Sequence, residues 1–153
     1  MVDLVELHFH RLLVAVDGSD TSELALSAAV TAALRDNAAI TLLAVTPDFL
    51  ADSHLWVTGS PDPSVLQREA DEEAERLLGD TVERMPKDIP ATKCLRHGKA
   101  GPEIVAQARE HDYDAILLGA RGVGRVGAAL VGSVSNYVMH HADTAVFVAH
   151  APR

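Results

Sequence analysis

The 153-residue sequence has little cysteine, few aromatic residues and few basic residues, and each shortage excludes a class of protein. Cys94 is the single cysteine, so an internal disulfide is impossible and the chain suits a reducing compartment. Thirteen Lys and Arg residues against 22 Asp and Glu residues give a formal net charge of −9. This charge disfavours nonspecific binding to nucleic acid or to an anionic membrane, and we expect neither as a partner.

Long hydrophobic runs are also missing. No segment approaches the ~20 apolar residues that a membrane-spanning helix needs. Residues 1–10 carry no basic stretch before an apolar run, as a signal peptide would, and we therefore expect a cytoplasmic protein. What the chain does have is aliphatic content, with 48% hydrophobic and only 4% aromatic residues. Its length suits a single domain, residues 1–153, with a sizeable core.

Short apolar segments alternate with helical patterns along the chain. Five segments have the composition of strands, namely residues 11–17, 39–45, 91–97, 115–118 and 144–150, and four predicted helices connect them. This alternation predicts an α/β fold with a doubly wound, five-stranded parallel sheet in the order 3-2-1-4-5 and helices on both faces. In that order a ligand crevice lies beyond the carboxyl ends of strands 1 and 4. Asp17 closes strand 1 at this place.

The segment that follows strand 4 carries the most informative motif. Gly119 and Gly122 are followed, after nine further residues, by Gly132 and Ser133. Glycine at the exit of a strand allows the backbone to approach a ligand where a Cβ would clash. A Gly-Ser pair at the start of a helix offers N–H groups, a hydroxyl and the positive end of the helix dipole to an anion. The motif therefore predicts a phosphate-binding loop, and it coincides with the predicted crevice.

Residues 14–19 (V-A-V-D-G-S), the G-x2-G-x9-G-S spacing and the closing apolar strand together resemble the universal stress protein family, in its ATP-binding branch, over about residues 9–150. The resemblance implies a pocket for ATP, with Mg²⁺ possible beside it, in a homodimer with a stress-linked regulatory role and no assigned catalytic residue. The nucleotide-binding residues that it implies here are Ala15, Val16, Asp17, Val45, Leu118, Gly119, Arg121, Gly122, Gly132, Ser133, Val134 and Ser135.

Each of these signals has a structural alternative. Asp17 could cap the turn after strand 1, and the serines at 133 and 135 could simply begin a helix. Residues 122–127 also match G-x-G-x-x-G, but a dinucleotide site needs that motif after the first strand of a βαβ unit, which argues against NAD or FAD. His140 and His141 point about 100° apart on a helix and do not form a metal pair. The acidic run at residues 69–75 is expected to be a solvated helix face.

Three functions stay open at this point. A nucleotide-binding regulator leads, and the alternatives are a slow ATP hydrolase or adenylating enzyme, and an interaction module with a vestigial nucleotide site. For assembly, the predicted edge strand lacks charge and proline, the usual protection of an exposed sheet edge. Antiparallel pairing with the same strand of a second copy would cover it, so we predict a homodimer through residues 144–149.

Overall fold

Strands and helices alternate in a computed structural model that describes residues 7–57, 59, 61–121 and 132–152. The predicted site residue Gly122 lies outside the described residues. A short 3-10 helix occupies Ser53–Trp56, between the second strand and the second α-helix. The other elements are β1 (Arg11–Ala15), α1 (Asp20–Asp36), β2 (Ala39–Thr46), α2 (Pro63–Arg84), β3 (Ala91–His97), α3 (Ala100–Glu110), β4 (Ala115–Gly119), α4 (Ser133–His141) and β5 (Ala145–Ala149).

All five strands form one parallel sheet in the order β3-β2-β1-β4-β5, which confirms the predicted fold. The central strand β1 pairs with β2 on one side and with β4 on the other, and Leu13 faces Thr41 and Ile116 in the two registers. β1 is shorter than predicted, because it ends at Ala15. Val16 still donates its N–H to the carbonyl of Leu43 at 2.9 Å, and the chain leaves the sheet at Asp17.

The core lies on both faces of the sheet, because successive side chains of a strand point to opposite faces. Leu12 and Val14 of β1 pack against α1 and α2, whereas Leu13 packs against α3 and α4. All three side chains are almost completely buried. Each buried leucine contributes about 1.5–3 kcal/mol to stability, so the apolar β1 fixes the centre of the sheet and leaves its carboxyl end for function.

The turn between β1 and α1 is built from small polar residues. Ser19 is the N-cap of α1, and its Oγ accepts the N–H of Ser22 at 3.2 Å. Asp20 follows it as the first helical residue. Satisfying the free N–H groups of the first turn in this way fixes where α1 begins beside the end of β4.

In the part of the chain that the structure describes, no helix is long and apolar enough to cross a membrane.

Candidate functional site

A cleft opens at the carboxyl ends of β1 and β4, where the winding of the sheet changes direction. Five side chains form what we call the apolar floor: Ala15, Leu43, Val45, Ile104 and Leu118. Polar groups from three segments stand around this floor, contributed by Asp17, Ser22 and Arg121. The remaining lining residues are Val16, Ala100, Gly119 and Val134.

The cleft brings together most of the residues that the sequence predicts for the site. Eight of the predicted residues line the cleft: Ala15, Val16, Asp17, Val45, Leu118, Gly119, Arg121 and Val134. Sequence reasoning missed four lining residues: Ser22, Leu43, Ala100 and Ile104. One of these had a signal, because Leu43 shares a strand face with Val45, which the sequence predicts for the site.

Asp17 combines a structural contact with an available acceptor. Its Oδ1 accepts the backbone N–H of Ser19 at 2.9 Å and the Ser19 hydroxyl at 2.6 Å. Its own N–H donates to the Ser22 hydroxyl at 3.3 Å. Among the described residues, no group hydrogen-bonds to Oδ2, and Asp17 is exposed at the cleft. The carboxylate therefore holds the turn with one oxygen and leaves the other for a ligand.

Gly119 is required by packing inside the protein, which differs from the reason predicted for it. A Cβ at this position would lie 2.7 Å from the backbone nitrogen of Ser22 and 2.7 Å from the carbonyl carbon of Thr21. These atoms belong to the first turn of α1, which cannot move without losing its cap. The missing side chain allows α1 to start directly against the end of β4, and that contact closes one wall of the cleft.

Gly132 and Ser135, at the second end of the glycine motif, form hydrogen bonds to the backbone that follows β4. The N–H of Gly132 donates to the carbonyl of Ala120 at 2.5 Å, and a Cβ at Gly132 would lie 2.8 Å from that oxygen. The hydroxyl of Ser135 donates to the same carbonyl at 3.0 Å and to the carbonyl of Gly132 at 3.1 Å. Since the Ser135 side chain is buried in these bonds, it positions α4.

The first turn of α4 lies beside the cleft. Ser133, Val134 and Ser135 are its first three residues, whose N–H groups have no partner in the helical ladder. Val134 lines the cleft, whereas Ser133 lines the adjoining depressions. On the opposite side, the carbonyl of Arg121 accepts the hydroxyl of Thr21 at 2.5 Å, which anchors the backbone of this residue to α1.

A polar cluster lies behind the cleft, at the ends of β2 and β3. Asp71 of α2 accepts hydrogen bonds from Thr46 at 2.9 Å and from Gln67 at 3.0 Å, and contacts His97 at 3.0 Å. Burial would raise the pKa of Asp71, but the hydrogen bonds from Gln67, Thr46 and His97 outweigh it and the pKa is lowered. Asp71 thus stays ionised and ties α2 to both strands. No group of three metal-ligating side chains occurs among the residues described here.

A family model matches almost the whole chain. Residues 8–150 match the Universal stress protein family. The chain belongs to that family. Among its relatives, Universal stress protein YxiE of Bacillus subtilis is 30% identical over 135 residues, which covers 85% of this chain and 91% of YxiE. Universal stress protein Rv2005c of Mycobacterium tuberculosis is 34% identical over 145 residues, 90% of this chain but 44% of that longer protein. The chain therefore spans less than half of the mycobacterial relative.

Solved structures share this fold along almost the whole chain. Universal stress protein UspA from Lactobacillus plantarum superposes with a TM-score of 0.75 at 25% identity, covering 94% of this chain and 99% of the other. The family member from Archaeoglobus fulgidus, in complex with dAMP, gives 0.67 at 24% identity, with coverages of 94% and 99%. A member from Arabidopsis thaliana, with AMP bound, gives 0.66 at 18% identity, with coverages of 94% and 92%.

Proposed function

We propose that this universal stress protein is a regulatory protein that binds an adenine nucleotide, with ATP as its ligand, in the cleft between β1 and β4. The observation that carries the proposal is the convergence of three chemically different surfaces in one space. These are the apolar floor, the carboxylate of Asp17 and the first turn of α4. The dAMP and AMP complexes of two proteins with this fold support the same ligand class.

Each surface suits one part of a nucleotide. The apolar floor favours a flat base, because burying its faces removes apolar area from water. Oδ2 of Asp17 is an acceptor for ribose hydroxyls, since Oδ1 is already bonded to Ser19. The N–H groups and positive dipole end of α4 favour phosphate, with Mg²⁺ accompanying ATP. Arg121 adds a cation at the border of the same cleft.

Regulation by occupancy and a cytoplasmic location complete the proposal. A ligand in this cleft contacts segments that follow three different strands, so its presence can alter the surface that a partner protein meets. The single cysteine suits a reducing compartment. We further propose that two copies associate through residues 144–149, at the open edge of β5.

The two carboxylate oxygens of Asp17 have different contacts, so substitutions of Asp17 can test them separately. Asp17→Asn keeps an oxygen for the bonds from Ser19 but replaces the second acceptor by a donor and removes the charge. We expect this variant to keep the wild-type melting temperature and to bind ATP more weakly by about 1–3 kcal/mol, the usual cost of leaving a polar group of the site unpaired. Isothermal titration with Mg-ATP measures the loss, and product analysis in the same samples reports any hydrolysis.

Asp17→Ala is the matched comparison, because it loses the turn contacts as well as the acceptor. We expect it to bind ATP as weakly as Asp17→Asn and to melt at a lower temperature than the wild type. Wild-type ATP affinity in a folded Asp17→Asn variant would restrict Asp17 to the turn and remove it from the proposed site.

A further inference from the structure

Lys99 stands beside the cleft at a position that the turn from β3 to α3 fixes. Gly98 has φ of +136°, a backbone conformation that residues other than glycine rarely adopt, and its N–H donates to the carbonyl of Thr46 at 2.8 Å. Lys99 is the N-cap residue of α3, and its carbonyl accepts the N–H of Glu103 at 3.0 Å. Because the backbone is held on both sides, the lysine side chain starts from a defined point at the carboxyl edge of the sheet.

Lys99 has no carboxylate partner within the described chain, unlike five other Lys and Arg residues. Ion pairs join Arg35 to Asp36, Lys93 to Glu75, Arg84 to Glu23 and Arg109 to Asp143. Within the described residues, no carboxylate oxygen lies within 4.0 Å of the Lys99 ammonium group.

Glu103, the first acidic residue of α3, forms its ion pair with a residue other than Lys99. Glu103 binds Arg96, with 2.7 Å between Nε and Oε2, and Arg96 also binds Glu110 at 2.8 Å. In a chain with a formal net charge of −9, acidic partners are abundant, yet none neutralises Lys99. An uncompensated cation at a fixed place beside a cleft favours an anionic ligand.

The depression beside Lys99 adjoins the cleft. Lys99 and Ser133 line this depression, and Ala100 and Val134 line both the depression and the cleft. Close packing of α3 on α4 makes this possible, because a Cβ at Gly101 would lie 2.9 Å from the ring of Tyr137. A ligand that fills the cleft therefore lies next to the depression that Lys99 lines.

We propose that Lys99 binds the phosphate groups beyond the α-phosphate and so selects nucleoside di- and triphosphates over monophosphates. This inference rests on the proposed function, since it assigns the phosphate end of a nucleotide whose base occupies the apolar floor. An ammonium group donates charge-assisted hydrogen bonds to phosphate oxygens without requiring a fixed orientation. AMP does not extend far enough to use this contact, whereas ADP and ATP do.

The experiment compares AMP, ADP and ATP on the full chain by isothermal titration. Lys99→Met removes the charge and keeps the length of the side chain. We expect its affinity for ADP and ATP to fall about tenfold, a typical loss for a charged contact at a partly exposed site, and its affinity for AMP to stay within about twofold, since a monophosphate makes no such contact. Lys99→Arg, which retains a cation, is expected to recover most of the ATP affinity.

Lys87→Met is the matched control, because it causes the same change in net charge. Lys87 precedes β3, on the amino-terminal side of the strand that Lys99 follows, and donates to the carbonyl of Glu83 at 3.0 Å. Equal ATP affinities for Lys99→Met and Lys87→Met would overturn the inference, as would a wild type that binds AMP and ATP equally. A wild type that binds none of the three nucleotides would overturn the proposed function itself. Salt titration of the wild type gives a readout independent of mutation, and we expect ATP binding to weaken more steeply than AMP binding.

Discussion

Replacing Gly119 by alanine is expected to lower the free energy of unfolding by about 3 kcal/mol, the upper part of the usual range for forcing an extra carbon into a packed site. The added Cβ would lie 2.7 Å from backbone atoms of both Thr21 and Ser22, so relief requires moving the start of α1 or the end of β4. For a domain of this size the change corresponds to roughly 10 °C in melting temperature. Urea titration and thermal melting of the ligand-free protein measure it.

Gly79→Ala is the control for this substitution. Gly79 lies within α2, and a Cβ there would meet no atom within 4 Å. Since glycine inside a helix costs about 0.5–1 kcal/mol relative to alanine, this variant should be slightly more stable than the wild type. If Gly119→Ala kept wild-type stability and lost only nucleotide affinity, the position would instead serve close approach of a ligand, as the motif alone suggests.

The strand order was predictable from the sequence because the physical signals for it are local or general. Continuous apolar runs in β1, β2 and β4 indicate strands that are buried on both faces, and the handedness of crossover connections then leaves few arrangements. Strand ends were less accurate. β1 stops at Ala15 rather than Asp17, because the chain turns out of the sheet to reach the Ser19 cap of α1.

The cleft at the carboxyl ends of β1 and β4 was predictable from the sequence, but the packing contacts of Gly119 and Gly132 were not. The motif points to Gly119 and Gly132, yet the atoms that exclude a side chain at Gly119 belong to Thr21 and Ser22, about 100 positions earlier in the chain. Such a contact exists only after folding, so the spacing of glycines cannot distinguish approach to a ligand from approach to a helix. The same limit applies to Ser135, whose hydroxyl is used by two backbone carbonyls.

The contacts of the charged residue Asp71 were likewise not predictable from the sequence. The acidic run at residues 69–75 was expected to be a solvated face, and most of it is exposed. Asp71 is the exception, because its place on α2 brings it against Thr46 and His97 at the ends of two strands. Helical spacing predicts which residues share a face, but the carboxylate at the boundary of the buried face is identified only when the helix is docked on the sheet.

The proposed homodimer has its strongest structural support in the open edge of β5. Ala149 accepts the N–H of Ala120 at 2.8 Å, so its backbone faces β4. Since backbone groups alternate along a strand, the N–H and carbonyl groups of Val146 and Val148 face away from β4, where no strand of the described chain pairs with them. The same strand of a second copy, running antiparallel about a twofold axis, would satisfy these groups on both chains.

Phe147→Glu is expected to convert this dimer into monomers at concentrations where the wild type is dimeric. The Phe147 ring is 44% exposed and meets Phe9 edge-to-face, with ring centroids 6.0 Å apart, so an acidic side chain at this position can reach water without breaking the core. Pairing about a twofold axis would bring the two glutamates of opposite copies near each other. We expect a loss of about 3 kcal/mol, or roughly a hundredfold in the dimer dissociation constant, measured by sedimentation equilibrium.

Leu34→Glu separates an effect on the interface from a general effect of charge. Leu34 lies on α1 and is 52% exposed, so its replacement changes the net charge equally at a surface apolar residue away from β5. This variant should keep the wild-type dissociation constant. Two results would contradict the proposed interface: both variants sedimenting as the wild type does, or a wild type that is monomeric at high micromolar concentration. In either case the open backbone groups of Val146 and Val148 would be bonded to water rather than to a second copy, and residues 144–149 would not form the interface.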